Sequence, residues 1–464
     1  MKKLTISLLT ATILSTSSLA KMIEIDAQTA LNITIYNEDR ALVSDTRSAN
    51  LTQGNNSIAF ADVSSQIIAQ SALLQGADIS LIEQNFNYDL LSENSLLEKA
   101  VGSSVLVEYI NPVTGEVKTQ AAELLAINGA NPVLKINGKI ETQYPGRIIF
   151  NKVPENLWAK PTLIMDIHSP KIQNIPLQLT YLTRGLSWKT DYVANLNADE
   201  TQMALNGLVT LTNNSSTAYQ NASLQLVAGD VNIVKEYIAP RAVYKNAVMA
   251  TDMALTEGAA VEKVSDFYLY SLPQKTTILP NQTKQVALLS TQNVPVQKTY
   301  EFDGTLDMRY TTKLDNIKPN VYLNFENKAE NNLGMALPKG IIRLYKKDSS
   351  NKLLFVGEDN INHTANLERV RLKMGTAFDI TANAKRLSYI KKTNETYEAS
   401  YEIRLTNGGK KNAVVDIYQN IPNQWKLLSS SSPYTKENSN RIKWQVEIPA
   451  EQEVALLYKL EVSK

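Results

Sequence analysis

The chain has 464 residues, 43% apolar and 20% charged, with no cysteine and two histidines. Such a length holds core for two or more domains. The lack of cysteine excludes disulfides, a thiol nucleophile and Cys-ligated zinc. Of 47 basic side chains, Lys2 and Lys3 belong to the leader described next; the remaining 45 face 46 acidic ones. That balance gives no electrostatic case for nucleic acid or an anionic membrane surface.

Residues 1–20 read as an export signal. Lys2 and Lys3 supply the positive end, Leu4 to Leu14 the apolar stretch, and Ser18-Leu19-Ala20 a small-x-small cleavage site. The apolar stretch is too short for a bilayer, which needs about 20 residues, and no later segment is long and apolar enough for a membrane helix. The mature chain is therefore expected in a bacterial periplasm or outside the cell. Without cysteine it is no diacylglyceryl lipoprotein.

The mature chain opens with strands. Leu31, Ile33 and Ile35 alternate with polar residues, Asn37-Glu38-Asp39-Arg40 turns into Ala41-Leu42-Val43, and Gln53-Gly54-Asn55-Asn56 turns before Ile58 and Phe60. One short helix follows, with Ser92 as its cap, Leu96, Leu97 and Ala100 on its apolar side and Gly102 at its end. Five short strands between 103 and 150, with the Asn137-Gly138 hairpin signal, predict a small SH3-like barrel. From Thr162 onward strands follow at short intervals, except over 236–263, where Ala- and Met-rich sequence without alternation reads as a flexible linker. A mobile lid is the functional alternative for that segment. Near the C-terminus Ile442, Trp444, Val446 and Ile448 share one face, as do Val454, Leu456, Tyr458 and Leu460. Trp444 is thereby expected in the core, paired with the second of these strands.

One unit recurs three times: an alternating strand ending in Asn, a polar turn, then a second apolar strand. The strands end at Asn213, Asn327 and Asn407, and lead into Leu224–Val227, Ile341–Tyr345 and Val414–Ile417. Asn suits the left-handed backbone of a turn, so each copy reads as two strands of a sandwich. The expected fold is all-β and multidomain, with β-sandwich, immunoglobulin-like modules. Residues 21–95 with 152–235 form an N-terminal sandwich and 96–151 the inserted barrel. After the linker, 264–390 form a central sandwich and 391–464 an immunoglobulin-like module.

No catalytic constellation, metal site or cofactor motif is read from the chain. No Gly-x-Ser-x-Gly elbow occurs, and Asp303-Gly304 with Asp307 lacks the spacing of a calcium loop. Glu358, Asp359 and His363 make the most polar cluster near a strand boundary; a turn network is the reading preferred to a triad. Paired carboxylates, with Glu358, Asp359 and Asp379 as candidates, would be the hydrolase alternative. Trp188, beside Arg184 and Lys189, is the aromatic ring expected to face a ligand.

Several stretches resemble one bacterial family, the exported proteins with the domain of unknown function DUF4139. They are Ile33–Val43, Gly185-Leu186-Ser187-Trp188-Lys189-Thr190-Asp191-Tyr192, and Leu211–Ser215 running on to Leu226–Val231. Gly357-Glu358-Asp359 with His363-Thr364, Gly375–Asp379, Trp425 and Ser431–Tyr434 complete the series. The resemblance implies a multi-strand exported protein and brings no catalytic residues. Together these readings predict a non-catalytic scaffold or binding protein whose partner is an envelope protein or a glycan. The alternative is a hydrolase of envelope or extracellular polysaccharide.

Overall fold

Period-2 alternation gives each strand one apolar face, which becomes stable when two sheets close over each other. The computed structural model describes residues 22–25, 28–87, 90–128, 131–154, 157–229, 231–232, 259–304, 306, 312–421 and 424–463. Among them strands dominate and Glu93–Ala100 is the one α-helix, so the protein is all-β and multidomain. The expected leader, residues 1–20, lies outside the described residues. No helix among the described residues is long and apolar enough to cross a membrane.

Two sheets enclose the N-terminal core. One runs Met22–Glu24, Gly54–Ala61, Thr162–Ser169, Ser80–Asn87 in spatial order. The other runs Ala260–Val264, Phe267–Ser271, Tyr219–Ala228, Gln28–Tyr36, Arg40–Leu51, Gln173–Thr183, Leu73–Gln75. Ile33, Ile35, Ile58, Phe60 and Leu163 are buried in this core. A central sheet follows, in the order Gln282–Pro295, Gln202–Asn213, Leu186–Leu196, Gly340–Lys347, Leu353–Ile361. Its long hairpin serves two cores. Leu186, Trp188, Val209 and Leu211 join the N-terminal core, whereas Tyr192, Ala194, Met203 and Leu205 pack with Leu323, Phe325, Val370 and Leu372 of the next sheet. That sheet (Arg369–Thr376, Asn320–Glu326, Gln297–Asp303, Ala413–Asn420, Arg441–Ile448, Tyr434–Asn438) shares a third core with the last one. The last sheet runs Lys313–Ile317, Ile380–Lys391, Thr396–Asn407, Gln452–Ser463, Gln424–Ser430.

The repeated unit recurs in space as well as in sequence. Each strand leading to the Asn pairs antiparallel with a later strand: Gln202–Asn213 with Gln282–Pro295, Asn320–Glu326 with Arg369–Thr376, and Thr396–Asn407 with Gln452–Ser463. The strand after each turn crosses to another sheet and pairs in parallel with an earlier one. Tyr219–Ala228 joins Gln28–Tyr36, Gly340–Lys347 joins Leu186–Leu196, and Ala413–Asn420 joins Gln297–Asp303.

The reason for Asn differs from the one expected. Asn213, Asn327 and Asn407 are not among the residues with positive φ; they are buried, and their amides do the work. Asn213 Nδ2 donates to Thr217 O (2.9 Å) and Leu279 O (3.0 Å), while its Oδ1 accepts from Ser215 N (2.9 Å). Asn327 Nδ2 donates to Met335 O (2.7 Å) and Ala365 O (2.9 Å), and Gly334 N donates to its Oδ1 (2.9 Å). Asn407 repeats this with Lys411 O (2.9 Å), Ile448 O (3.1 Å) and Gly409 N (2.9 Å). In every copy one amide ties the local turn to the segment entering the later paired strand. Buried backbone groups that the ladders leave over are thereby satisfied.

Residues 93–149 form a separate unit. Lys139–Glu141, Asn131–Ile136, Val117–Asn128, Ser104–Ile110 and Arg147–Ile149 make one antiparallel sheet, with Asn137 (φ 50°) and Gly138 (φ 80°) in the hairpin turn. All five expected strands are present, yet the barrel does not close. Its two edge strands have three residues each and do not pair with one another. The helix Glu93–Ala100 completes the core instead, with Leu97 and Ala100 buried alongside Val107, Leu124 and Leu134. Ser92 caps it as expected, accepting from Ser95 N at 3.1 Å.

Other boundaries move for the same kind of reason. The division at 95/96 falls inside the helix, and that at 390/391 inside the hairpin of Ile380–Lys391 and Thr396–Asn407. Of the expected linker 236–263, residues up to 258 lie outside the described ones. Its last residues are no linker, because Ala260–Val264 pairs with Phe267–Ser271 and Val261 packs on the N-terminal core. Trp444 is fully buried, 4.7 Å from Tyr458 between ring centroids, with Nε1 donating to Ser430 Oγ at 3.0 Å. Its strand pairs with Ala413–Asn420 rather than with Gln452–Ser463, so Tyr458 meets it from the last sheet across the core.

Candidate functional site

The central sheet has one face in the core and one outside. Along Leu186–Leu196, alternation sends Leu186, Trp188, Thr190, Tyr192 and Ala194 inward and Ser187, Lys189, Asp191, Val193 and Asn195 outward. Lys189, Ser290, Phe355, Glu358 and Asn360 are exposed, so no described element covers this outer face.

Five side chains from the five adjacent strands form one row there, three hydrogen bonds closed by an ion pair. Gln285 Nε2 donates to Thr210 Oγ1 (3.1 Å), and Thr210 Oγ1 donates to Asp191 Oδ2 (3.2 Å). Arg343 NH1 donates to Asp191 Oδ1 (2.9 Å), and Arg343 Nε lies 3.2 Å from Glu358 Oε2. Asp191 is only 7% exposed, whereas Glu358 and Gln285 at the two ends reach solvent. The bond to Asp191 raises the already high pKa of Arg343, so the guanidinium is a permanent donor. At one edge of the row Tyr345 and Phe355 meet edge to face, 5.7 Å between centroids, with Phe355 57% exposed. This arrangement presents fixed donors, acceptors and a ring to one side of a sheet.

The residues expected to form a site are dispersed. Glu358 belongs to the row just described. Asp359, the next residue, accepts from Asn360 N (2.8 Å) through Oδ1 and from Lys373 N (2.7 Å) through Oδ2, tying the central sheet's edge to Arg369–Thr376. His363 lies beyond the strand end, where its Nδ1 accepts from Lys339 N at 3.2 Å. The three do not act as one cluster. Trp188 is 4% exposed within the N-terminal core, 6.3 Å from Tyr270, and its Nε1 has no hydrogen-bond partner among the described residues. It does not face a ligand, because alternation sets it with Leu186 and Tyr192. The same alternation was the available signal for Asp191, which residue-type reasoning passed over.

A second hollow, about 450 Å³, lies where the tip of the central hairpin meets the C-terminal sheets, with Glu200, Lys298, Phe378 and Lys411 in its lining. Glu200 is held between Lys298 and Lys346, both at 2.8 Å. Burial pushes its carboxyl up, but the two lysine hydrogen bonds outweigh this and hold it below the usual carboxylate range. Among the described residues no group of three or more His, Cys, Asp or Glu side chains is arranged to hold a metal ion.

Fold and face together define an all-β protein of successive sandwiches that exposes an ordered polar strand surface. The family model described as a domain of unknown function (DUF4139) matches residues 177–463, more than half of the chain, and the chain belongs to that family. No curated protein matches it. The match begins after Ile33–Val43 and takes in all three Asn repeats, the polar row and the Gly185–Tyr192 stretch. That stretch reads structurally. Gly185 (φ 86°) donates its N–H to Asp39 Oδ1 at 2.9 Å, Trp188 fills the first core, Asp191 anchors the row, and the Tyr192 hydroxyl donates to Pro338 O at 2.8 Å.

Proposed function

We propose that this protein is an exported, non-catalytic binding and scaffold protein of the bacterial envelope or extracellular space, with the outer face of the central sheet as its binding surface. The observation that carries the reading is the row from Gln285 to Glu358, which no described element covers. At its ends the row is open: the exposed Arg343–Glu358 pair contributes little to stability, about 0–1 kcal/mol, and Gln285 and Glu358 reach solvent, so these ordered ends are better explained by recognition than by folding. The N-terminal export pattern supports the destination. The hydrolase alternative gains nothing from this geometry. Asp191 and Glu358 are the carboxylates brought together, but Arg343 lies between them, where the bond to be cleaved would have to sit.

The test is fractionation of the tagged protein among periplasm, outer membrane and medium, combined with a photo-crosslinking residue at position 355. Adducts from position 355, and none from a crosslinker at exposed Glu437, are expected in an envelope or extracellular fraction. Cytoplasmic retention, or equal adducts from both positions, would overturn the reading.

A further inference from the structure

The outer face differs from a protein-docking surface in one respect. Protein interfaces keep an apolar core and a polar rim, with charge depleted at the centre. Here an ion pair, Asp191 with Arg343, sits among the central strands, with Tyr345 on the strand of Arg343 and Phe355 on the edge strand beside it. A protein partner would have to desolvate the partly exposed Arg343 and Glu358, which costs more than it returns unless every hydrogen bond is replaced.

A hydroxyl-rich ligand meets no such penalty, because each hydroxyl both donates and accepts. The row holds its own geometry and still has outward capacity. Gln285 Oε1, Glu358 Oε1 and the Tyr345 hydroxyl have no protein partner among the described residues. The strands carry Lys189, Arg343 and Lys347 on this face against Asp191 and Glu358, an excess of one positive charge, so a polyanion gains little attraction. Four interstrand spacings separate Gln285 from Glu358; at about 4.8 Å each the row is roughly 19 Å long, room for several linked rings. Phe355 and Tyr345 add apolar ring surface at one end, against which the C–H face of a sugar stacks.

We propose that the outer face of the central sheet binds a neutral polysaccharide strand, hydrogen-bonded along the row from Gln285 to Glu358 and stacked on Tyr345 and Phe355. This rests on the binding-surface reading above and names its ligand class. The experiment is affinity electrophoresis and titration calorimetry of the full-length protein with dextran, laminarin and mannan, with alginate as the polyanionic comparison. At least one neutral polymer is expected to retard the wild type. The double variant Tyr345→Ala/Phe355→Ala should lose about tenfold or more in affinity while keeping its melting temperature, because Phe355 is exposed and Tyr345 partly so. Glu358→Gln is the second variant; it keeps the side-chain shape and should weaken binding severalfold without unfolding the protein.

Retardation by alginate alone, by none of the polymers, or equally for wild type and double variant would overturn the proposal. A protein adduct at position 355 without any polysaccharide binding would sink the ligand class and leave the binding surface standing. Absence of both would sink the two together.

Discussion

The three Asn clamps and the polar row on the central sheet are both hydrogen-bonded polar networks, and they are built to opposite ends. In each clamp one buried amide spends its capacity on backbone groups of its own fold: Asn407 reaches Lys411 O, Ile448 O and Gly409 N and is shut off from water. The row spends only part of its capacity on itself. Gln285 and Glu358 reach solvent, and the sheet beneath would keep its strand ladders without them. A closed network marks structure, and an open, pre-ordered one marks a surface awaiting something. The physical difference is the cost of loss. Orphaning a buried backbone group costs about 1–3 kcal/mol, whereas losing an exposed pair costs a fraction of that.

Graded substitutions sharpen this contrast. The largest effect is expected for Trp444→Ala, which sets the apolar scale: loss of the buried ring and its contact with Tyr458 should cost about 3–5 kcal/mol in denaturant unfolding. Asn407→Ala should approach it, at about 2–4 kcal/mol, because a carbonyl from each of two segments and one N–H lose their partner together. Asn407→Gly separates the two accounts of this residue. If a left-handed backbone were the reason for Asn, Gly would be neutral; the clamp predicts a loss as large as that of Ala.

Glu200→Gln is expected to cost about 1 kcal/mol at neutral pH. The folded carboxyl lies below its unfolded value of about 4.5, so its contribution is complete above that pH and fades as pH falls through the depressed value. Wild type and variant should therefore draw together in urea midpoints as the pH is lowered from 4.5 through the depressed value. Smallest of all is Glu358→Gln in the open row, within about 0.5 kcal/mol of wild type by the same unfolding assay. A cost there rivalling Asn407→Ala would erase the contrast.

Much of the fold was legible from alternation alone. The first strands, the Asn137-Gly138 hairpin, the Ser92 cap and buried Trp444 follow from local rules of backbone and side-chain direction. The three Asn repeats were visible too, though their cause was not. What Asn213 bonds at Leu279 is 66 residues away, and no local propensity reports a long-range carbonyl. Local alternation does not report which core a strand enters: in one hairpin Leu186 and Tyr192 look alike in sequence and belong to different interiors. The candidate site was the least legible. Its members come from five strands between Asp191 and Glu358, and only the sheet order brings them into line. Trp188 was misplaced because neighbouring charge was given more weight than its alternation with Leu186 and Tyr192.

The claim that the outer face of the central sheet is a binding surface is tested most directly by hydroxyl-radical footprinting of the protein in intact cells and after purification. Tyr345 and Phe355 should be oxidised several times more slowly in cells than in the purified protein, relative to exposed Tyr434 on the C-terminal sheets. Equal oxidation of Tyr345 and Phe355 in both states, normalised to Tyr434, would mean that nothing occupies the face and would contradict the account.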